Sequence, residues 1–226
     1  YTVADITAVF SLRAGVDNPW VIERLRLIAD HYRPMPRVQI SDFGSEPAYA
    51  QTLRDICRAS GFDYLHVPDF GLYSASAARN RGFECTSTDL VFFCDIDTFG
   101  PSSMFADLAR VASAIGLNET VDILINAPIV HLSQEDTVRF TGEEEREARS
   151  SVLDRLTIET LYRARNKDAD AYVAPYSNNF LIHRSLFSMA GGYYEAFRGH
   201  GSEDFEFLVR LHHYTRHLPT PQRLTE

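Results

Sequence analysis

LVFFCDID, residues Leu90 to Asp97, is the stretch on which the fold turns. Five apolar residues run without interruption into two acids one position apart. A short apolar run of this kind, rich in β-branched and aromatic residues, reads as a central strand buried on both faces. The pattern repeats on either side. Asp5 to Leu12, Arg37 to Ser41, Tyr64 to Val67 and Asp122 to Ala127 read as further strands. Between them, Asp17–Tyr32, Tyr49–Ala59, Ser74–Gly82 and Pro101–Ile115 carry apolar residues at helical spacing, and Gly61 stops the second of these helices. Strand and helix in alternation predict an α/β fold, with a mostly parallel central sheet flanked by helices on both faces.

The second half reads differently. Gln134 to Arg165 is polar, with Glu143, Glu144, Glu145 and Glu147 close together as a solvated helix face. Val152, Leu153, Leu156, Ile158 and Leu161 then space an amphipathic helix. Asn179 to His183 is a short extended piece, followed by a glycine-rich turn and a helix over Ser202–His213. No internal repeat or low-complexity linker divides the chain. The expectation is a single domain, with a nucleotide-binding half over about 1–130 and an acceptor half over about 131–226. Because the chain starts at Tyr1 rather than Met, it is read as a piece of a longer protein.

Composition narrows the partners. The formal net charge is −9 over 226 residues, the opposite of the basic stripe that duplex nucleic acid requires. No polybasic patch for an anionic membrane is visible, and no apolar run approaches the ~20 residues of a membrane span. Cys57, Cys85 and Cys94 match no zinc spacing and make a poor disulfide framework, so they are expected as buried thiols in a reducing compartment. The location implied is cytoplasmic, at the inner face of a membrane only through other domains.

Two segments carry chemistry. Asp95 and Asp97 end the most buried strand, where open α/β sheets bind ligands, and no Lys or Arg lies close by in sequence. One carboxylate can accept from a ribose hydroxyl while the other holds a hard cation that bridges to phosphate. A solvated turn gives the same pattern. The second segment is Gly191-Gly192-Tyr193-Tyr194-Glu195, followed by Gly199-His200-Gly201-Ser202-Glu203-Asp204. Ser202 suits a helix N-cap, which places Glu203 and Asp204 in the first turn. An ordinary capped helix is the plain alternative.

Together these segments resemble the inverting GT-A glycosyltransferases, above all the β-1,4-galactosyltransferase C-terminal motif and bacterial chondroitin- and capsule-polymerase domains. Ala78-Arg79-Asn80-Arg81-Gly82 is similar to that superfamily's A-R-N-x-G helix start. Asn179, Arg184 and Phe187 are similar to its N-x-x-x-x-R-x-x-F segment, and the likeness runs from about residue 5 to residue 213. The resemblance implies a hexosyltransferase that moves a sugar from a nucleotide-sugar donor, a UDP-sugar, to an oligo- or polysaccharide acceptor in capsule or other surface-polysaccharide synthesis. Mn²⁺ or Mg²⁺ is the implied cofactor.

By the same resemblance, Ser11 and Arg13 lie near the base and phosphates, Asp42 meets the base or ribose, and Arg79 lies near the donor. Asp95, with Ile96 beside it, holds the ribose or metal, and Asp97 holds the metal. Glu203 binds an acceptor hydroxyl beside His200 and Gly201, and Asp204 is the base. As plain structural roles, Arg13 and Asp42 would be surface charges, and Arg79 would cap a helix or pair with Glu84.

The chain departs from the pattern twice. His200 stands where the family has a sugar-packing Trp. The family's late metal-binding His has only His212, His213 and His217 as candidates, of which His213 is taken as the ligand. Two other functions fit the pattern less well. A sugar-nucleotide pyrophosphorylase needs a glycine-rich loop after the first strand, and FSLRAGVDN is poor in glycine. A catalytically silent sugar- or partner-binding domain of a larger polymerase would have little reason to keep Asp97 and Asp204.

Overall fold

The computed structural model describes residues 1–127, 129–142, 146–154, 172–174, 178–199 and 201–216. Strands β1 (Ile6–Leu12), β2 (Arg37–Phe43), β3 (Asp63–Val67) and β4 (Leu90–Asp95) alternate with helices α1 (Trp20–His31), α2 (Pro47–Ser60), α3 (Ala75–Glu84) and α4 (Met104–Ala114). After them come β5 (Leu124–Asn126), β6 (Ile129–His131), α5 (Gln134–Gly142), α6 (Arg146–Asp154), β7 (Tyr172–Ala174), β8 (Phe180–His183), α7 (Arg184–Met189) and α8 (Glu203–Arg216). The first five strands and first four helices stand where the sequence predicts them. The predicted amphipathic helix begins within α6, which buries Val152; Leu156, Ile158 and Leu161 lie outside the described residues.

The main sheet has the order β3-β2-β1-β4-β8-β5, and β6 pairs with β7 in a separate two-stranded sheet. β1 pairs in parallel with both β2 and β4. β8 runs antiparallel to β4 and to β5. The extended piece at Asn179–His183 is therefore an inner strand of the main sheet. From β1 the chain winds outward through β2 to β3, then returns to lay β4 on the other side. That reversal is the switch point at which doubly wound sheets open a ligand crevice, and the β1–β4 register sets Ser11 opposite Asp95 there.

Alternation along the strands builds two cores. Leu90, Phe92 and Cys94 of β4 join Ile6, Ala8, Phe10 and Leu12 on one face, under Val21, Leu25 and Ile28 of α1 and Phe105 of α4. Val91 and Phe93 join Val9, Phe180 and Ile182 on the other, under Leu186 and Phe187 of α7 and Phe207 and Leu211 of α8. The second core is aromatic: Phe93 lies 4.7 Å from Phe187, and Tyr193 lies 4.7 Å from Phe207. Such pairs add roughly 0.5–1.5 kcal/mol each beyond their buried area.

Local signals act as their chemistry requires. Gly61 ends α2 at φ 71°, a conformation cheap only for glycine. Ser74 caps α3, accepting from the Ala77 N–H at 3.2 Å. At Gly82 a Cβ would stand 2.5 Å from Val9 Cγ1, so only glycine lets α3 lie this close to the sheet. Cys57 and Cys94 are buried as expected, but Cys85 is exposed. No helix among the described residues is long and apolar enough to cross a membrane.

Candidate functional site

A cleft of about 750 Å³ opens at the carboxyl ends of β1 and β4. Ser11 and Arg13 after β1, Arg79 of α3, Asp95, Ile96 and Asp97 after β4, and Gly201, Glu203 and Asp204 at the start of α8 all line it. Residues about a hundred positions apart in sequence thus meet at one opening.

Arg79 is the hinge of the arrangement. It is almost wholly buried, donates from Nη2 to Asp95 Oδ1 at 2.8 Å, and donates from Nη1 to Glu203 Oε1 at 2.8 Å. No Lys or Arg stands close to Asp95 in sequence, and its basic partner comes from α3, 16 positions away. Nor does Arg79 pair with Glu84, which Arg81 takes. Burial opposes the guanidinium charge, but Asp95 and the Tyr193 and Tyr73 rings outweigh it and hold the pKa above its ordinary value. The Arg79 guanidinium also lies 5.3 Å from the Tyr193 ring centroid. Asn178 Nδ2 adds a second donor to Asp95 Oδ1 at 3.3 Å, and its own Oδ1 accepts from the Tyr193 hydroxyl.

Asp97 differs from its neighbour. It forms no ion pair with a described residue, and its carboxyl is held above its ordinary pKa, first by desolvation and then by repulsion from Asp95. Arg24 and His131 act in the opposite sense. Asp97 thus presents its carboxylate beside Asp95 with no ion pair to a described residue, and a further positive charge there would stabilise it. A hard divalent cation supplies that charge: Mg²⁺-type sites use one or two carboxylates and take the rest of their oxygens from phosphates and water. The residues present therefore fit such an ion. Among the described residues no group of three or more His, Cys, Asp and Glu side chains converges on one point.

Glu203 and Asp204 both line the cleft. Glu203 is tied to Arg79. Asp204 forms no ion pair with a described residue; its Oδ1 accepts from the Phe205 N–H at 2.7 Å. Ser202 precedes them at φ 71° rather than in the extended conformation of an ordinary N-cap. A non-glycine residue there stores strain of order 1–3 kcal/mol, and Gly199 and Gly201, also at positive φ, flank the segment.

The motifs of the sequence also hold one another. Asn80 of the A-R-N-R-G stretch donates to Tyr193 O at 2.8 Å and Glu195 Oε1 at 3.0 Å, and accepts from the Tyr193 N–H at 2.9 Å. A Cβ on Gly192 would stand 2.7 Å from Asn80 Oδ1, which accounts for the second glycine. Arg210 of α8 donates to Ala190 O and, at 2.7 Å, to Gly192 O. Arg184 donates to Thr88 O at 3.1 Å and to Thr86, and Phe187 is buried in the second core. The double glycine, Glu195, Arg184 and Phe187 thus fix the loop and α8 against α3 and the sheet.

Three expectations meet a different outcome. Asp42 is fully buried rather than a surface charge, and it does not line the cleft. Its carboxylate accepts from the Tyr64 hydroxyl at 2.5 Å and the Ser45 N–H at 3.0 Å. His213 is exposed on α8; ten residues of helix after Glu203 put it about 15 Å along the axis, and it does not line the cleft with Asp95 and Asp97. His200 and His217 lie outside the described residues. The sequence reading missed Trp20, Tyr73 and Asn178, which line the cleft. Asn178 sits one residue before the segment that was singled out. Tyr73 and Trp20 flank helix starts and carry no motif.

The profile of glycosyltransferase like family 2 matches residues 7–226. No curated protein sequence matches the chain. Among solved structures, Staphylococcus aureus TarS 1-349 in complex with UDP-GlcNAc superposes with a TM-score of 0.57 at 12% identity, over 91% of this chain and 52% of that one. The mannosyltransferase PcManGT from Pyrobaculum calidifontis, in complex with GDP-Man and Mn²⁺, gives 0.54 at 12% identity, over 93% and 52%. Glucosyl-3-phosphoglycerate synthase from Mycobacterium tuberculosis, in complex with Mn²⁺, UDP and glucosyl-3-phosphoglycerate, gives 0.50 at 18% identity, over 93% and 66%. The chain spans about half the length of the first two. At such identities the likeness is one of fold, the GT-A fold of nucleotide-sugar transferases. With its profile matched from residue 7 to residue 226, the chain belongs to the glycosyltransferase like family 2.

Proposed function

We propose that the chain is the catalytic domain of a metal-dependent, inverting glycosyltransferase that moves a sugar from a UDP-sugar to a glycan acceptor in the synthesis of a surface polysaccharide. It works as one domain, with the donor held by the half up to about residue 130 and the acceptor by the rest. One observation carries the reading. Asp97 at the end of β4 and Asp204 at the start of α8 line the same cleft without an ion pair to any described residue, while Arg79 neutralises the carboxylates beside each.

Asp97, with Asp95, would hold Mn²⁺ or Mg²⁺, and the ion would supply positive charge beside a donor diphosphate. Ser11 and Arg13 lie on the β1 side of the switch point, where the nucleotide seats. Gly201 and Glu203 line the acceptor side with Asp204. The acceptor hydroxyl oxygen forms a bond to the anomeric carbon as the bond from that carbon to the diphosphate oxygen breaks. The electron pair leaves with the diphosphate. The hydroxyl proton passes to Asp204, and attack from the opposite face inverts the anomeric configuration.

Removal of a general base costs ~10²–10⁴ in rate. Asp204→Asn is expected to lower turnover by that order while UDP-sugar affinity, measured by calorimetry, stays close to wild type. Full transfer by the variant, or a product that keeps the donor's anomeric configuration, would refute the assignment.

A further inference from the structure

Tyr193 is held by its ring and by its backbone. Its ring centroid lies 5.6 Å from that of Phe93 and 4.7 Å from that of Phe207. The Asn80 amide takes its N–H at 2.9 Å and its C=O at 2.8 Å. The hydroxyl at the end of that ring is therefore a fixed point. Burial holds the phenol above its ordinary pKa, so it keeps its proton. That hydroxyl meets Asn178, on the segment leading into β8. Asn178 is only 3% exposed and lines the cleft, which Tyr193 does not.

The protons along this line have one order. A carboxylate only accepts, so the Asn178 group facing Asp95 Oδ1 at 3.3 Å is the Nδ2 amide. The Asn178 carbonyl then faces the Tyr193 hydroxyl, which donates to it. Arg79 Nη2 donates to the same Asp95 Oδ1 at 2.8 Å. Oδ1 thus holds two donors from two chain segments, while Oδ2 takes no hydrogen bond from a described residue. Asp95 is 36% exposed and lines the cleft, so Oδ2 is the oxygen left for a ligand.

We infer that Asn178 is a positioning residue: fixed by the Tyr193 hydroxyl, it aims the Asp95 carboxylate so that Oδ2 meets the bound nucleotide and its cation. A single donor, from Arg79, would let the carboxylate pivot about that contact. A second donor on a different segment removes the freedom, which is what a supporting shell does for a group that must bind with fixed geometry. Tyr193 belongs to the double-glycine turn before α8, so the carboxylate on the donor side and the helix on the acceptor side share one support. The inference rests on the reading of the cleft as the nucleotide-sugar site and adds to it a residue that no motif announces.

The test titrates UDP by calorimetry, to millimolar concentration with Mn²⁺ present, into wild type, Asn178→Leu, Tyr193→Phe and the double variant, with Tm recorded for each. Leucine keeps the branched outline of the amide without its hydrogen bonds. Phenylalanine removes only a hydroxyl, on a residue that does not line the cleft. Asn178→Leu is expected to weaken UDP binding about tenfold, the share of one hydrogen bond to a charged group, and Tyr193→Phe about threefold. The double variant should bind no more weakly than Asn178→Leu, because the hydroxyl acts only through the amide. On an Asp95→Asn background, Asn178→Leu should cost less than about twofold, since no carboxylate is left to aim. A merely structural role would lower Tm and leave the affinities within about twofold of wild type. That result, or losses that multiply undiminished in either pair, would overturn the inference and leave the nucleotide reading standing. Where leucine is not tolerated, Tyr193→Phe decides, and affinity equal to wild type overturns the inference. A wild type that binds no UDP with Mn²⁺ would remove the nucleotide reading, and the positioning role with it.

Discussion

Replacing Arg79 by Met would leave a side chain of similar reach but cut two charge-assisted bonds of 2.8 Å each. A hydrogen bond to a charged group contributes ~1.5–3 kcal/mol, and removing one partner of a buried pair costs ~3–5 kcal/mol. The two arms do not count equally. Glu203 is 14% exposed, so its arm takes a full share of about 2 kcal/mol. Asp95 is 36% exposed, so water screens its arm to about 1 kcal/mol. The expected loss is therefore about 3 kcal/mol, or roughly 6–12 °C in Tm for a chain of this size. Urea unfolding followed by circular dichroism would measure it.

A double variant separates this account from a simple packing loss. Arg79→Met leaves Glu203 buried and uncompensated, so Glu203→Gln on that background should restore about 1 kcal/mol or more. Arg79→Lys should fall between wild type and Met, since one ammonium lacks the fork that reaches both acids. A loss under about 0.5 kcal/mol in Arg79→Met, the range of ordinary surface changes, would refute the reasoning. So would a double variant as unstable as the single.

Asp97→Asn should weaken UDP affinity in the presence of Mn²⁺ by at least about tenfold without lowering Tm, because the carboxylate it removes forms no ion pair with a described residue and is one that neighbouring Asp95 disfavours; affinity that persists undiminished in EDTA would take the cation out of the account. A pH effect is expected at His183, whose Nδ1 accepts the Ser185 N–H at 3.2 Å and caps α7. Burial holds this imidazole below its ordinary pKa, with partial opposition from Asp89, so the folded state binds fewer protons than the unfolded one. The cap's contribution is complete above the unfolded pKa of about 6.5 and is lost as pH falls below it. Between pH 7.5 and 5.5, wild type should lose up to about 1 kcal/mol that His183→Asn, a cap that does not titrate, retains; an equal loss in both would dismiss the idea.

What the sequence made legible was local. LVFFC announced a buried strand because a parallel inner strand has no solvent face, and Gly61 and Ser74 punctuated helices through their own backbone chemistry. The acids at Asp95, Asp97, Glu203 and Asp204 were visible because their motifs are contiguous. Pairings across the chain were not. Phe180–His183 is too short to declare that it enters the sheet antiparallel beside β4, since its partners are remote in sequence. Arg79 stands 16 positions from Asp95 and 124 from Glu203, so a search for neighbouring basic residues could not find it. The failure at His213 was avoidable, because a helix starting at Glu203 carries the residue ten positions on about 15 Å away whatever the tertiary fold.

These remote pairings bear on how the proposed site divides its labour. Four carboxylates line one cleft, and at neutral pH they would repel one another and loosen both chain segments. Arg79 takes one from each segment, Asp95 from the end of β4 and Glu203 from the start of α8, and fastens the two segments together. The two left over, Asp97 and Asp204, are the ones with work to do on the proposed reading: one requires a cation and the other a proton. The clasp of Asn80 on Tyr193 and Glu195, and of Arg210 on the double-glycine turn, then holds α8 in place from outside the cleft. A carboxylate that must accept a proton is useful only if it stays free of ion pairs in the resting protein. The same guanidinium that makes Glu203 unsuitable as a base is what allows Asp204 to remain uncommitted beside it.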